Sequence, residues 1–389
     1  MVKTFRLDIC LVEEQFEMVQ YVEKGRKPRW RYFPKEGHPQ AVTRFDGTRI
    51  TPGFLQAIAY EVYVKNVIFG LLHQWLGDMG MTVSENTLRN WLKKGRKYLD
   101  RMVVELKRIA LEKDAVVNCD ETWCKVRKYD RYKKCYMWVL VNKAERVVIF
   151  FYEDGSRGRD VLTNFLGDAE LKALMSDGYN AYVFIGDGLK THRYKDTDHQ
   201  VCLAHVRAKF VKARMEGGDK RADVFLDNIN RLFRFEREYD REMITDGERT
   251  RRRQGLPTME AMINLRANLL QELKSEEEQK SCYMREALNY LHKFWNEVFT
   301  YIKDGRYPIS NNLAERAVRP FTTKRKNSLH FGSDEGAEIA AVYHSIISTV
   351  KLQGRSAWGY LGKFFTGIFN GCRDFLSLTP QNIDLAVCQ

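Results

Sequence analysis

The 389-residue chain has no apolar run of membrane length and no charged–apolar–small leader pattern. These absences argue against a membrane-spanning or exported protein and predict a soluble, cytoplasmic one with no membrane partner. Internal repeats and low-complexity tracts are missing as well, which leaves little room for a repeat array or a long disordered arm. The eight cysteines, at 10, 119, 124, 135, 202, 282, 372 and 388, follow no repeating spacing. Several fall inside apolar runs, so they read as reduced, buried thiols rather than a disulfide framework.

What is present is a globular composition, 44% hydrophobic and 12% aromatic, in a chain long enough for two or three domains. Lysine and arginine total 64 against 51 acids, a net charge of +13. That surplus favours a polyanionic partner, with nucleic acid first.

Hydrophobic periodicity divides the chain. Residues 1–48 read as a strand-and-loop arm, with alternation at Phe5, Leu7, Ile9 and Leu11 and then the basic aromatic segment 25–37. Residues 49–113 turn helical, with stripes at Leu55, Ile58, Ala59 and Val62 and at Val67, Leu71, Leu72, Trp75 and Leu76. Ser84 can cap a further helix with Leu88, Trp91 and Leu92 inside and Arg89, Lys93 and Lys97 outside, a helix-turn-helix-like arrangement that suits DNA. Residues 114–212 switch to short strands at 115–123, 133–142 and 146–153 and a fourth within 173–182 that ends in Asp-Gly, with a helix at 158–168. Residues 213–303 read as a charged helical insertion, in which Leu288, Leu291, Trp295, Val298 and Ile302 mark one long helix. Residues 304–375 return to the core with closing helices, and 376–389 form a tail.

Three carboxylates stand out. Asp120 sits on the first strand of the core and Asp177 just beyond the fourth; Glu315 lies on a helix after the insertion. That helix is expected to begin at Ser310 as N-cap, placing Asn311, Glu315 and Arg319 on one face beside the basic run Lys324-Arg325-Lys326. A solvated helix with a Glu315–Arg319 pair is the plainer alternative. Strand order β-β-β-α-β with acids at these points corresponds to a ribonuclease-H-like core, an α/β fold with a mixed sheet. Clustered carboxylates repel unless cations neutralise them, which two Mg²⁺ ions about 3.5–4 Å apart can do. Glu121 is expected on the opposite face of the strand from Asp120, and Asp187 in a turn. Cys202 and His205 have ligand-like spacing but show only two ligands, so they read as a structural pair. His192 and His199 read as loop histidines.

The motifs CDETW (119–123), SDGYNAY (176–182), CLAHVRAKF (202–210) and NNLAERAVRP (311–320), with RKN at 325–327, resemble the insertion sequence 66 family of DDE transposases. The resemblance runs in order over roughly residues 50–370. It implies that Asp120, Asp177 and Glu315 are the catalytic, metal-binding acids, with Mg²⁺ as cofactor and Mn²⁺ as a substitute. It implies hydrolysis at a transposon end followed by attack of the freed 3′-hydroxyl on target DNA. Arg316, Arg319, Lys324 and Arg325 are then the expected phosphate contacts near the acids, with Arg207 and Lys209 behind them. The partners it implies are double-stranded DNA (transposon ends and target), a second copy or more of the chain on that DNA, and accessory proteins from the same element. The chain departs from the family in its amino-terminal part, where only Cys10 precedes Cys119 and no cysteine-rich zinc segment is present. Two other readings stay open on the residues alone: a DNA-binding protein without catalysis, and another nuclease of the same fold.

Overall fold

A computed structural model describes residues 11–13, 15–33, 42, 44–188, 193–275 and 280–384. The Phe5–Ile9 alternation, Cys10, Cys388 and His192 lie outside the described residues, as does the side chain of Lys324. Near the amino terminus, β1 (Met18–Tyr21) and β2 (Arg29–Tyr32) form an antiparallel hairpin. Part of the basic aromatic segment is thus strand.

Three helices follow: α1 (Pro52–Tyr63), α2 (Phe69–Asp78) and α3 (Glu85–Ala110). Thr51 and Ser84 cap α1 and α3 by accepting backbone N–H bonds from Phe54 and Thr87. Of the α2 stripe only Leu72 and Leu76 are fully buried, whereas Leu71 and Trp75 reach solvent. α3 runs well past its basic half because Leu99, Met102, Leu106 and Ile109 continue the apolar stripe and bury it. At 1.5 Å per residue it is about 39 Å long.

The sheet order is β5-β4-β3-β6-β7. β3 (Val116–Lys128), β4 (Arg131–Asn142) and β5 (Val147–Phe151) form an antiparallel meander. α4 (Arg159–Leu166) carries the chain across to β6 (Ala173–Ser176), which pairs in parallel with β3 on its other edge. β7 (Asp198–Val201) then adds in parallel to β6. The fourth core strand stops at Ser176, just before the Asp-Gly pair where it was expected to end. Gly178, at φ +80°, turns the chain there, and residues 180–186 fold as turns. His199 is a buried β7 residue, not a loop histidine; its Nε2 lies 3.0 Å from Ser176 Oγ, and burial pushes its pKa down to about 4.

β7 leads through Cys202 into α5 (Leu203–Met215), which packs with α6 (Ala222–Glu242), α8 (Leu256–Lys274) and α9 (Cys282–Lys293) around Phe210, Phe225, Ile229, Leu265 and Leu288. α7 (Asp246–Arg253) bridges α6 and α8. The long helix expected through 288–302 breaks at Phe294, whose backbone (φ −109°, ψ 22°) is not helical; α10 (Trp295–Phe299) and a 3-10 turn continue it. The apolar period survives the break because Leu288, Leu291 and Val298 still bury inward.

The chain then returns to the sheet with α11 (Asn312–Ser328), α12 (Asp334–Leu352) and α13 (Ala357–Phe369). One apolar cluster joins α1 and α3 to α12, α13 and one face of the sheet; a second lies between the other face and α11. Among the described residues, no helix is long and apolar enough to cross a membrane.

Candidate active site

Pleating divides β3 into two faces. Val117 and Cys119 bury against the large cluster, while Asn118 and Asp120 turn toward α11. Glu121 points away from Asp120, as expected, but it is far from idle. Its side chain is 1% exposed, pairs with Arg157 at 2.6 Å and accepts the Tyr182 hydroxyl at 2.6 Å. Arg157 in turn stacks on Tyr179 with its guanidinium 3.7 Å from the ring centre. Tyr179 and Tyr182 both belong to the turn after Asp177, so this cluster ties the end of β6 to β3.

Asp177 lies where β6 ends. Its carboxylate accepts the Tyr179 backbone N–H at 2.8 Å, which fixes the side chain locally. Its carbonyl accepts a hydrogen bond from the Tyr290 hydroxyl of α9. A Cβ at Gly178 would come within 2.9 Å of that same hydroxyl and 3.2 Å of the Phe294 ring. The glycine of SDGYNAY therefore answers both a left-handed backbone and a close approach of the insertion.

Glu315 is placed from beneath by Asn311, which is completely buried. Asn311 Nδ2 donates to the Cys119 carbonyl and its Oδ1 accepts from Asn118 Nδ2, both at 2.9 Å. Its backbone N–H donates to the Cys202 sulfur at 3.1 Å. Helix α11 thus starts at Asn312, not from a cap at Ser310, because Asn311 is committed to the sheet instead of sharing a face with Glu315. No ion pair joins Glu315 to Arg319 among the described residues. The nearest side-chain partner of Glu315 is His205, with Nδ1 to Oε1 3.9 Å.

Asp120 registers this convergence. Burial, then the neighbouring Glu121, then Asp177 and finally Glu315 push its pKa up to about 8, against the backbone N–H of Glu121 that favours the ionised form. Three acids far apart in sequence therefore stand close enough for their charges to be felt at one carboxyl. The donor set is all carboxylate oxygen, which suits a hard divalent cation. Uncompensated repulsion at Asp120 is what such a cation would relieve.

Without metal, Asp120 then holds its proton in the folded chain but loses it near its ordinary pKa of 3.8 when unfolded. The folded state binds the extra proton from about pH 4 to 8, so this group's contribution to stability is fully present below that window and lost as pH rises through it. Asp120→Asn is expected to raise the melting temperature of the metal-free protein at pH 8 and to change it little near pH 4. Thermal melts at both pH values in excess chelator check this; equal shifts at the two would contradict it.

Cys202 and His205 lie closer to these acids than their spacing alone suggests. One donor atom each from Cys202, His205 and Glu315 falls within 4.8 Å of the others. Glu315 thus supplies the third group that the sequence spacing did not reveal. Cys202 is buried, which pushes its thiol up to about 11, and its sulfur already accepts the Asn311 N–H that orients α11. That is a structural use of the cysteine. His205 Nδ1 is buried without a hydrogen-bond partner.

The expected phosphate contacts divide. Arg316 and Arg319 are exposed on α11. Arg325 is held against β3, donating to the Trp123 carbonyl at 2.7 Å and lying 4.0 Å over the Trp123 ring. On α3, Arg89 pairs with Glu85 at 2.6 Å, Lys93 pairs with Glu335 of α12, and Lys97 is exposed over Tyr98. Arg207 donates to Asn230, and Lys209 pairs with Glu286 at 2.5 Å. Asp187 sits in the turn region after β6, away from strand pairing.

Positioning residues escaped sequence reasoning. Asn118, Arg157, Tyr182 and Tyr290 are ordinary polar residues until the fold brings partners to them. Asn311 alone had a signal, the doubled asparagine before LAER.

Comparison with known proteins agrees with the motifs. A family model described as Transposase IS66 family matches residues 47–339. Uncharacterized protein y4jD of Sinorhizobium fredii is 26% identical over 350 residues, 85% of this chain and 65% of that protein. Uncharacterized protein y4qI of the same organism is 27% identical over 239 residues, 61% of this chain and 43% of its own length. The chain thus spans two thirds or less of these relatives. With the family match covering most of its length, the chain belongs to the IS66 transposase family.

Proposed function

We propose that the chain is a transposase that cuts and joins DNA at insertion-sequence ends through Asp120, Asp177 and Glu315, on a ribonuclease-H-like core. The observation that carries this is the convergence of the three acids. Asp120 on central β3, Asp177 at the end of adjacent parallel β6 and Glu315 on α11 stand close enough that both other charges add to the rise that burial and Glu121 chiefly cause at Asp120. Strand order and acid positions together support the ribonuclease-H-like reading.

These carboxylates would hold Mg²⁺, or Mn²⁺ in its place, which when bound neutralises phosphate charge and lowers the pKa of water. The chain's own residues do the positioning. Asn311 and Cys202 fix the start of α11, and thereby Glu315. Tyr290 and the Tyr179 N–H fix Asp177. Exposed Arg316 and Arg319 follow Glu315 on the same helix and offer guanidinium groups to the phosphates of a strand laid along it. Glu121, paired with Arg157, holds the far side of β3 and leaves Asp120 to face the strand.

Helices α1–α3 serve as the DNA-holding unit outside the acids. Two of the three basic residues on the outer face of α3 already have acidic partners. Changing Arg89, Lys93 and Lys97 to Ala together is therefore expected to flatten the salt dependence of DNA binding by one to two phosphate contacts, at about 0.9 in slope for each. An unchanged slope would show that this face meets protein or solvent instead.

The test of the function is strand cleavage of DNA carrying the element's own ends. The wild type should leave 3′-hydroxyl ends in Mg²⁺. Combining Asp120→Asn with Asp177→Asn should cost little more than either alone, as for groups acting as a unit. Absence of metal-dependent cleavage by the wild type, with DNA binding intact, would overturn the catalytic reading.

A further inference from the structure

Beyond the acids, β3 and α11 run on side by side. Ten residues after Glu315, about 15 Å along the helix, Arg325 reaches Thr122 and Trp123 of β3. The end of α11 is then pinned to the free edge of β3, with the Phe331 N–H donating to the Lys125 carbonyl and the Arg127 N–H donating to the Phe331 carbonyl. Between these two fastenings lies an open groove of about 520 Å³.

Its lining differs from that of a plain phosphate groove. Lys125, Arg325 and Lys326 supply positive charge, and among the described residues no acid lines it. Three rings are there as well. Trp123 is 39% exposed beneath the Arg325 guanidinium, and Tyr132 is 51% exposed. The Tyr132 ring lies 4.3 Å from that of His330, and a 3.1 Å hydrogen bond from its hydroxyl oxygen to His330 Nε2 holds the two together. Leu329 projects beside them, 68% exposed on a backbone at φ +58°. A large apolar side chain in that left-handed conformation is uncommon and costs energy, so local sterics alone do not favour it.

We propose that this groove holds an unpaired nucleobase of the DNA being processed. Trp123 and Tyr132 offer stacking surfaces, Leu329 wedges the vacated step, and Arg325, Lys125 and Lys326 take the flanking phosphates. Bare lysines would suffice for a backbone track; exposed rings interleaved with cations are what single-stranded segments need. An apolar wedge between base steps is the usual means of holding them open. At 3.4 Å per stacked step, the groove lies about four to five steps from the acids. The inference rests on the DNA reading above and adds where the duplex opens.

The test compares two oligonucleotides of one sequence, a full duplex and a duplex whose terminal bases are left unpaired. Fluorescence anisotropy without divalent ions measures binding in the absence of cleavage. The wild type should prefer the forked end roughly tenfold, the order of effect that stacking one base on an aromatic ring supplies. Trp123→Ala with Tyr132→Ala should abolish the preference and leave duplex affinity unchanged, while Trp123→Phe keeps it. Leu329→Ser, at a solvent-facing position, should weaken the preference without lowering the melting temperature. Equal wild-type affinity for the two DNAs, or a preference that survives the double substitution, overturns the groove and leaves the transposase reading standing. Failure of the wild type to bind either DNA removes both.

Discussion

Glu315→Gln is expected to fold, bind DNA as well as the wild type and cut it orders of magnitude more slowly. Glutamine keeps the volume and the helix propensity at this position, so α11 should be undisturbed. Asn311, not Glu315, fastens α11 to β3 and to Cys202, which leaves the helix start intact. One of the negative charges that push Asp120 up disappears, so binding of phosphate should hold or tighten slightly. What is lost is an anionic oxygen that only a metal needs, and cleavage in Mg²⁺ or Mn²⁺ should fall with it. A solvated Glu315–Arg319 pair would predict the reverse, a small stability loss with cleavage intact, and no such pair forms among the described residues. Cleavage and binding measured on the same preparation separate the two.

The largest effect on stability is expected from Arg253. Its side chain is 1% exposed and holds both oxygens of buried Glu236, at 2.8 and 2.7 Å. It also donates to the carbonyls of Tyr301, Asp304 and Tyr307 at 2.7–3.0 Å. Those carbonyls belong to the segment leading from the insertion to α11. Arg253→Met would leave a buried carboxylate partly uncompensated and three carbonyls short of a donor. Arg249 also reaches Glu236, at 3.0 Å, and offsets part of the loss. Breaking a buried pair by removing one partner costs about 3–5 kcal/mol, and the shared carboxylate places this case toward the lower end. Denaturant melts should show a loss of about 3 kcal/mol. Adding Glu236→Gln should recover part of it, because the orphaned charge goes too. A loss under about 0.5 kcal/mol would show that the network is not needed.

Arg253 also marks where sequence reading stops. In GERTRRRQG it is one arginine of a basic run, and nothing local distinguishes it from Arg251, which is exposed and pairs within its own helix to Glu248. Only the packing of α6, α7 and the 301–307 segment decides which arginine is buried. The strands β3, β4 and β5 were legible because apolar runs of strand length alternate with turn residues. The third acid was legible because its flanking asparagines and arginines form a motif. The break at Phe294 was not. It goes with the close contact of the Tyr290 hydroxyl and the Phe294 ring with Gly178, more than a hundred positions away, which no local period encodes. Cys202 and His205 were found by spacing, yet their third neighbour, Glu315, arrives only through the fold.

The most direct measurement is anomalous diffraction from crystals of the wild type soaked in Mn²⁺. Manganese should appear in contact with the carboxylate oxygens of Asp120, Asp177 and Glu315, and should be lost from crystals of Asp177→Asn. Manganese absent from these acids at saturating concentration, or bound only at Cys202 and His205, would contradict the three-carboxylate site.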